Sequence, residues 1–276
     1  MVKILPSRSN RCHSSIDTLR LNCSSELMTP RTASQVLTLA DSGGWQACVE
    51  KTRDERSEEG QFFSPPPIAQ CLAGWFQQEG FNRPSVHLLD PGAGGGVLTA
   101  AVVDRITALC AEKALPKLKE VTLEAWELDE DFLPALRRNL SACEDALKQV
   151  GIRTNIQLHH GNYIEGAVHA LDPGLFRSLQ ASQVTHAILN PPYRKITTRS
   201  RERIQLASID MDTSNLYSAF VWLALRQLVP CGELSAITPR SFCNGSLLSR
   251  VSSRLAQAVN ILPRPRLQFP DRGLQP

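Results

Sequence analysis

The sequence predicts an α/β fold, a mostly parallel sheet covered by helices on both faces. Three observations carry that prediction. Short β-like runs recur between residues 86 and 239, patterns of helical period separate most of them, and several runs end in residues better suited to binding than to packing. Strand alternating with helix is the pattern of parallel strands joined by crossovers. An open sheet of this kind binds its ligand outside the carboxyl ends of its strands, so the residues just after each run carry the functional reading.

The elements follow in order. Residues 1–59 are polar and Ser/Thr-rich, without a sustained period, and close on the charged run EKTRDERSEE. A poorly ordered or loosely helical arm is expected there. Ile68, Leu72, Trp75 and Phe76 then line one face of a helix that should stop at Gly80. The strands expected are VHLLD (86–90), VTLEAWEL (121–128), IQLHHG (156–161), VTHAILN (184–190) and GELSAITP (232–239). Helical patterns occupy LTAAVVDRITALCAEKAL, DFLPALRRNLSACEDALKQV and LYSAFVWLALRQLV.

Composition excludes several classes. With 276 residues, 42% hydrophobic and 21% charged, the chain is an ordinary globular one. No run approaches the roughly eighteen apolar residues that span a bilayer, and MVKILPSRSNRCHSSID has no signal-peptide core. A cytoplasmic protein without membrane partners is expected. The eight cysteines form no C-x-x-C pair and no Cys/His cluster at zinc spacing, so reduced, mostly buried thiols and no metal are expected. A net charge of +3 does not by itself indicate nucleic acid. Its distribution says more: in RKITTRSRER, Arg194, Lys195, Arg199, Arg201 and Arg203 stand against Glu202 alone. Such a loop suits phosphate contact, although a solvated loop would read the same.

The strand ends are unusual. DPGAGGG, Asp90 to Gly96, follows the first strand and opens a helix, so that bare backbone and unpaired N–H groups face whatever lies against the turn. It lacks the Gly-Lys-Ser/Thr of a Walker A loop and carries Val97 where the third glycine of G-x-G-x-x-G would fall. Dinucleotide-type turns and purely structural turns remain open on this evidence. The second strand ends in WELDED, where Glu127 could accept from a ribose diol. After the third come Asn162 and Tyr163, and after the fourth Asn190-Pro191-Pro192-Tyr193. Proline cannot donate to a sheet ladder, so two in succession end the strand and stiffen the backbone. The Asn190 amide oxygen and the Pro191 carbonyl can then accept both hydrogens of one exocyclic NH₂, which draws its lone pair out of conjugation. Tyr193 offers a flat face for a planar ring.

LLDPGAGGG, ELD, GNYI, ILNPPY, NLYSAFVWLALRQLVPCGELSAITP and, upstream, GQFFSPPPIA together resemble, in order, the motifs of gamma-class adenine-N6 DNA methyltransferases of restriction-modification systems. The resemblance covers about residues 60–245. It implies a Rossmann-like class I S-adenosylmethionine-dependent fold with S-adenosylmethionine as cofactor and double-stranded DNA as substrate. A separate specificity subunit or a cognate restriction endonuclease is the partner such systems imply. By the resemblance, Ser64 meets the cofactor's methionine carboxylate, where the family usually has threonine. Asp90, Gly92 and Gly94 line the methionine side, Glu127 holds the ribose, Asn162 accepts from the cofactor's adenine amine through its amide oxygen, and Tyr163 belongs to the same cofactor site. The family usually has aspartate at Asn162, so weaker cofactor affinity is expected. Asn190, Pro191, Pro192 and Tyr193 engage a flipped adenine, and the basic loop follows the DNA backbone. Asn-Pro-Pro-Tyr also occurs in glutamine and RNA amine methyltransferases, which are the alternative substrate classes.

The family pattern weakens past TPRSF. CNGSLLSRVSSRL has leucines at 247 and 248 where an aromatic segment is usual, and six arginines follow Pro239 with Asp271 the sole acid. The reading is therefore a catalytic domain over 60–245 and an atypical basic tail over 246–276, with the last strands incomplete and the target-recognition domain absent. The chain is expected to be C-terminally truncated, which leaves an inactive cofactor- or DNA-binding fragment as a further alternative.

Overall fold

The computed structural model describes residues 64–171 and 184–239, together with the backbone of residues 2–5 and 260–263. The rest of the N-terminal arm and of the basic tail, with Phe62, Phe63, Leu248 and the arginines beyond Pro239, lies outside the described residues.

Five parallel strands form the body of the sheet: β2 (Ser85–Pro91), β3 (Glu120–Glu127), β4 (Arg153–His160), β5 (Val184–Leu189) and β6 (Leu228–Ala236). Two short strands extend it, β1 (Val2–Leu5) and β7 (Asn260–Pro263), in the order β4-β3-β2-β5-β6-β1-β7. β1 runs antiparallel to both β6 and β7. The predicted fold class therefore holds. Neither short strand follows from the sequence pattern, because β1 belongs to a stretch without sustained period and β7 to the weakly strand-like VNILPRPRLQF. Four residues are too few to show an alternation.

Helices cover both faces. α1 (Pro66–Gly74), α3 (Val97–Ala111) and α4 (Leu133–Gln149) pack on one, with Leu72, Val103, Ile106, Leu123 and Leu136 in a continuous core. α5 (Tyr163–Leu171), α6 (Arg201–Ser208) and α7 (Leu216–Gln227) cover the other around Ile164, Leu189, Leu206, Phe220 and Leu223. Each such buried side chain contributes about 1.5–3 kcal/mol. β5 lies in the middle of the sheet and is buried along its whole length.

Two boundaries move for tertiary reasons. The helix expected to reach Gly80 ends at Gly74 and resumes as the single turn α2 (Gln78–Phe81). At the break the Gln77 N–H donates to the Glu233 carboxylate at 3.0 Å, and a Cβ on Gly80 would lie 2.3 Å from that same carboxylate. β6 starts earlier than expected, at Leu228, because a step of two positions along β5, from Val184 to His186, is matched by a step of five along β6, from Leu228 to Glu233. That irregularity accommodates Pro230 and the left-handed Cys231.

β3 and β4 lie to one side of β2, and β5 and β6 to the other. The chain therefore changes direction between β2 and β5, and their carboxyl ends bound the crevice where an open α/β sheet takes its ligand.

Candidate functional site

The glycine turn after β2 is bolted to its neighbours. Gly92 and Ala93 donate their N–H groups to the Trp126 carbonyl at 2.9 Å each, and the Gly94 N–H donates to Glu127 Oε2 at 2.7 Å. Glu127 Oε1 accepts from the Asp129 N–H at 2.9 Å, so one carboxylate closes the tip of β3 and fixes the turn. Gly92, Gly94 and Gly96 all have positive φ. At Gly96 the requirement is strict, since a Cβ would lie 2.9 Å from Leu136 of α4. Asn139 of α4 donates to the Gly95 carbonyl at 2.5 Å, locking the turn from behind.

This turn and the tips of β3, β4 and β5 enclose a cavity of about 620 Å³. Gly92, Gly94, Glu127, Asn162, Tyr163, Asn190, Pro192 and Arg194 all border it, as does Ser64, so one space unites residues 130 positions apart, from 64 to 194. Asp90 is different. It is wholly buried beneath the turn, accepts from the Thr99 hydroxyl of α3 at 2.7 Å, and its Oδ1 has no hydrogen-bond partner among the described residues. Burial pushes its carboxyl up to about 7, against the lowering effect of Thr99. Burial raises Glu127 as well, although its bonds from Asp129 and Gly94 oppose the shift.

The wall below β4 is aromatic. Trp126 stacks on His159 at 4.1 Å and donates through Nε1 to Glu124 at 2.8 Å. Tyr163 lies edge-on to Trp126 and tilted against Phe220, and its hydroxyl accepts from Gln227. Gly166 of α5 is the only residue type that fits there, because a Cβ would come within 2.1 Å of the Trp126 ring. The Asn162 amide oxygen accepts from the Ile164 N–H at 2.9 Å and so caps α5.

Asn190 is held from two sides. Its Nδ2 donates to the Ser64 hydroxyl at 3.1 Å, and its Oδ1 accepts from the Tyr193 hydroxyl at 3.0 Å. The Tyr193 hydroxyl also lies 3.2 Å from the Ile237 carbonyl, and burial raises its pKa. Among the described residues no donor reaches the Pro191 carbonyl.

The basic loop is less exposed in charge than its composition suggests. Arg201 pairs with Glu165, Arg203 with Asp212 and the Thr213 carbonyl, and Arg194 lies 3.9 Å from Glu202. Two of those acids come from outside the decapeptide, so its excess of four positive charges falls to two in space. Lys195 and Arg199 are exposed and pair with no described acid. The second half of the loop is helical, since the Ser200 side chain accepts from the Arg203 N–H and starts α6.

Trp126, Leu128 and Phe220 line the cavity without having been singled out. Trp126 could have been found from its place beside the acidic strand end. Phe220 and the 61% exposure of Leu128 could not, since helix packing decides them. Of the cysteines described, Cys143 is buried, Cys71 and Cys110 are half-buried and Cys231 is exposed, a more open set than expected. No described helix is long and apolar enough to cross a membrane.

No protein-family model matches the chain. Over 228 residues, 82% of its length, it is 35% identical to the Type II methyltransferase M.BsuBI of Bacillus subtilis. Over 199 residues, 71% of its length, it is 37% identical to the Type II methyltransferase M.PstI of Providencia stuartii. The chain spans 42% and 36% of the length of these two relatives. A Listeria monocytogenes structure assigned to the class I S-adenosylmethionine-dependent methyltransferases superposes with a TM-score of 0.54 at 13% identity, covering 85% of this chain and 69% of that one. The modification subunit assigned to a type I restriction enzyme of Vibrio vulnificus superposes at 0.53 and 14% identity, covering 82% and 44%. The fold is thus the Rossmann-like class I methyltransferase fold.

Proposed function

We propose that the chain is the catalytic part of a restriction-modification DNA methyltransferase, one that transfers a methyl group from S-adenosylmethionine to the exocyclic N6 amine of a flipped adenine. The observation that carries this reading is the Asn190 amide, which borders the cavity directly after β5, at the switch point, with Ser64 on one side and Tyr193 on the other. The similarity to two Type II methyltransferases supports the restriction-modification part, and the order of the motifs supports adenine as the base.

The residues present suit the cofactor. The cavity is bordered by a glycine turn at a helix N-terminus, a buried carboxylate at the tip of β3 and a hydroxyl at Ser64 whose hydrogen no described residue accepts. When bound, S-adenosylmethionine would supply a sulfonium methyl open to direct attack by an amine. Asn190 Oδ1 and the Pro191 carbonyl would be the two acceptors that hold the hydrogens of a target amine. Trp126 and Tyr163 would exclude water from the cofactor side. Lys195 and Arg199 would meet phosphates. The partner of such an enzyme would be an endonuclease cutting the same site, or a subunit that reads it.

The test is the purified chain with methyl-labelled cofactor and mixed DNA, RNA and glutamine-bearing protein acceptors, alongside Asn190→Ala. Label is expected in DNA as N6-methyladenine and is expected to be lost in the variant. Label in RNA or glutamine would move the substrate assignment, cofactor binding without transfer would mark a non-catalytic fragment, and activity surviving Asn190→Ala would overturn the role of that residue.

A further inference from the structure

We propose that Asn162 recognises the cofactor's base as a hydrogen-bond donor, through its amide NH₂ to a ring nitrogen beside the exocyclic amine, an inference that rests on the methyltransferase reading above. An aspartate at this position would have the opposite polarity.

The sheet order sets which end of the cofactor Asn162 meets. Asn190 follows β5 and Asn162 follows β4, with β2 and β3 between them. Neighbouring strands are about 4.8 Å apart, so the two residues mark ends of the cavity separated by about 14 Å. With a transferable methyl group at Asn190, the glycine turn of β2 and Glu127 of β3 come between it and β4. The end of the cofactor remote from the methyl, its base, therefore falls to Asn162. The wall there suits a flat ring, since the exposed apolar side chain of Leu128 borders the same cavity.

The direction of the Asn162 amide is fixed by the backbone and not by the ligand. The Ile164 N–H donates to Asn162 at 2.9 Å, and only the oxygen end of an amide can accept from it. The other end is then the NH₂. Asn162 is half-buried in the cavity wall, and this NH₂ donates to no described residue. Turning the amide over would set NH₂ against N–H at the start of α5 and undo the cap. An aspartate has an oxygen at each end, one for the cap and one for the adenine amine. Asparagine has a single oxygen, and the helix holds it.

Adenine offers a donor at its amine and acceptors at N1 and N7, the ring nitrogens nearest that amine. The NH₂ of Asn162 complements an acceptor and opposes the donor. Calorimetric binding of four ligands to the wild-type chain tests the match: S-adenosylhomocysteine, its analogue with hydrogen in place of the 6-amine, and its 1-deaza and 7-deaza analogues. One of the two deaza analogues is expected to bind about three- to tenfold more weakly, the worth of one hydrogen bond, and loss of the amine to cost less than about twofold. Asn162→Asp, nearly isosteric and still able to cap α5, should exchange the pattern. Loss of the amine would then cost about three- to tenfold and loss of the ring nitrogen little. Comparing ligands within each protein cancels the effect of the added charge, and the wild-type series decides the inference even if the variant fails to fold.

A wild-type loss on removing the amine as large as that on removing either nitrogen would overturn the inference in favour of an accepting Asn162. Equal affinities for all four ligands would overturn it by leaving Asn162 only the helix cap. A nitrogen preference that persists in Asn162→Asp would overturn it as well, because another group would then hold that nitrogen. Each of these outcomes leaves the proposed function intact. The expected pattern without methyl transfer to DNA would support the inference and overturn the substrate assignment. No binding of any of the four by the wild-type chain would overturn both.

Discussion

The backbone N–H of Gly94 donates to Glu127 Oε2 at 2.7 Å, tying the glycine turn of β2 to the tip of β3 across 33 positions of chain. The carboxylate is 7% exposed and its other oxygen holds the Asp129 N–H. Glu127→Ala would leave both donors without that partner, at about 1–3 kcal/mol each where water cannot replace it. A fall in unfolding free energy of that order is expected in denaturant titrations, together with weaker S-adenosylhomocysteine binding. Glu127→Gln, which keeps one acceptor, should fall between.

Tyr193 touches Asn190 through its hydroxyl and offers its ring separately. Tyr193→Phe removes the donor to Asn190 Oδ1 while keeping the ring. A fall in kcat of about three- to tenfold is expected, the worth of one hydrogen bond, with DNA affinity preserved. Tyr193→Ala should reduce both, since stacking on a base contributes about 1–3 kcal/mol. Equal effects of the two variants on DNA affinity would show that the ring does not contact the base.

The arginines of the 194–203 segment should not act alike. Lys195→Ala and Arg199→Ala are each expected to lower the salt slope of DNA binding by about 0.9. Arg201→Ala and Arg203→Ala should change it less, because Glu165 and Asp212 hold those side chains. Conversely, Glu202→Gln frees Arg194 and should tighten DNA binding by less than about fivefold, as an exposed pair is worth under about 1 kcal/mol. Salt-titrated fluorescence anisotropy with one duplex measures all five variants.

Asp90 gives the fold a pH dependence of defined sign. Its carboxyl titrates near 7 in the folded chain against 3.8 normally, so between those values the folded state binds more protons than the unfolded one. Stability is therefore greatest below that window and declines as pH rises through it, by at most about 4 kcal/mol at 1.36 kcal/mol per unit. Asp90→Asn should flatten the decline between pH 4 and 7. Glu124 acts in the opposite sense and lower down: burial would raise it, but its bonds from His87 and Trp126 outweigh burial and depress it. Its contribution is lost only as pH falls through that lowered value. Denaturant titrations at several pH values distinguish the two.

Gly96→Ala places a Cβ 2.9 Å from Leu136 on a backbone with φ of 83°. The left-handed conformation alone costs about 1–2 kcal/mol for an L residue. A loss of about 2–4 kcal/mol is expected once the contact with α4 is added, measured by urea unfolding. Gly151→Ala is the control, since φ is 78° there but nothing lies within 4 Å of the added Cβ, and it should lose only the conformational part.

Most of the fold was legible because its signals are local. The parallel strands carry runs of apolar residues, the helices α3, α4 and α7 carry their period, and Pro191 with Pro192 ends β5 in any context. α5 and α6 were not legible: YIEGAVHAL is short, and RERIQLAS buries only Leu206, so its amphipathic stripe is one residue wide. The break at Gln77 needed Glu233, which lies 156 positions away.

For the site, the sequence determined which chemical groups stand at the strand ends, because the register of a strand and the residue after it are fixed by the chain itself. Asp90, Glu127, Asn162 and Asn190 all lie there. What each of those groups touches was decided by the tertiary structure. Glu127 grips the glycine turn, Asn162 caps a helix, Asp90 is buried beneath α3, and three of the basic residues meet acids, two of them supplied by other segments. A hydrogen bond or ion pair forms between whichever groups the packing brings within about 3 Å. Only the folded chain set Ser64 against Asn190.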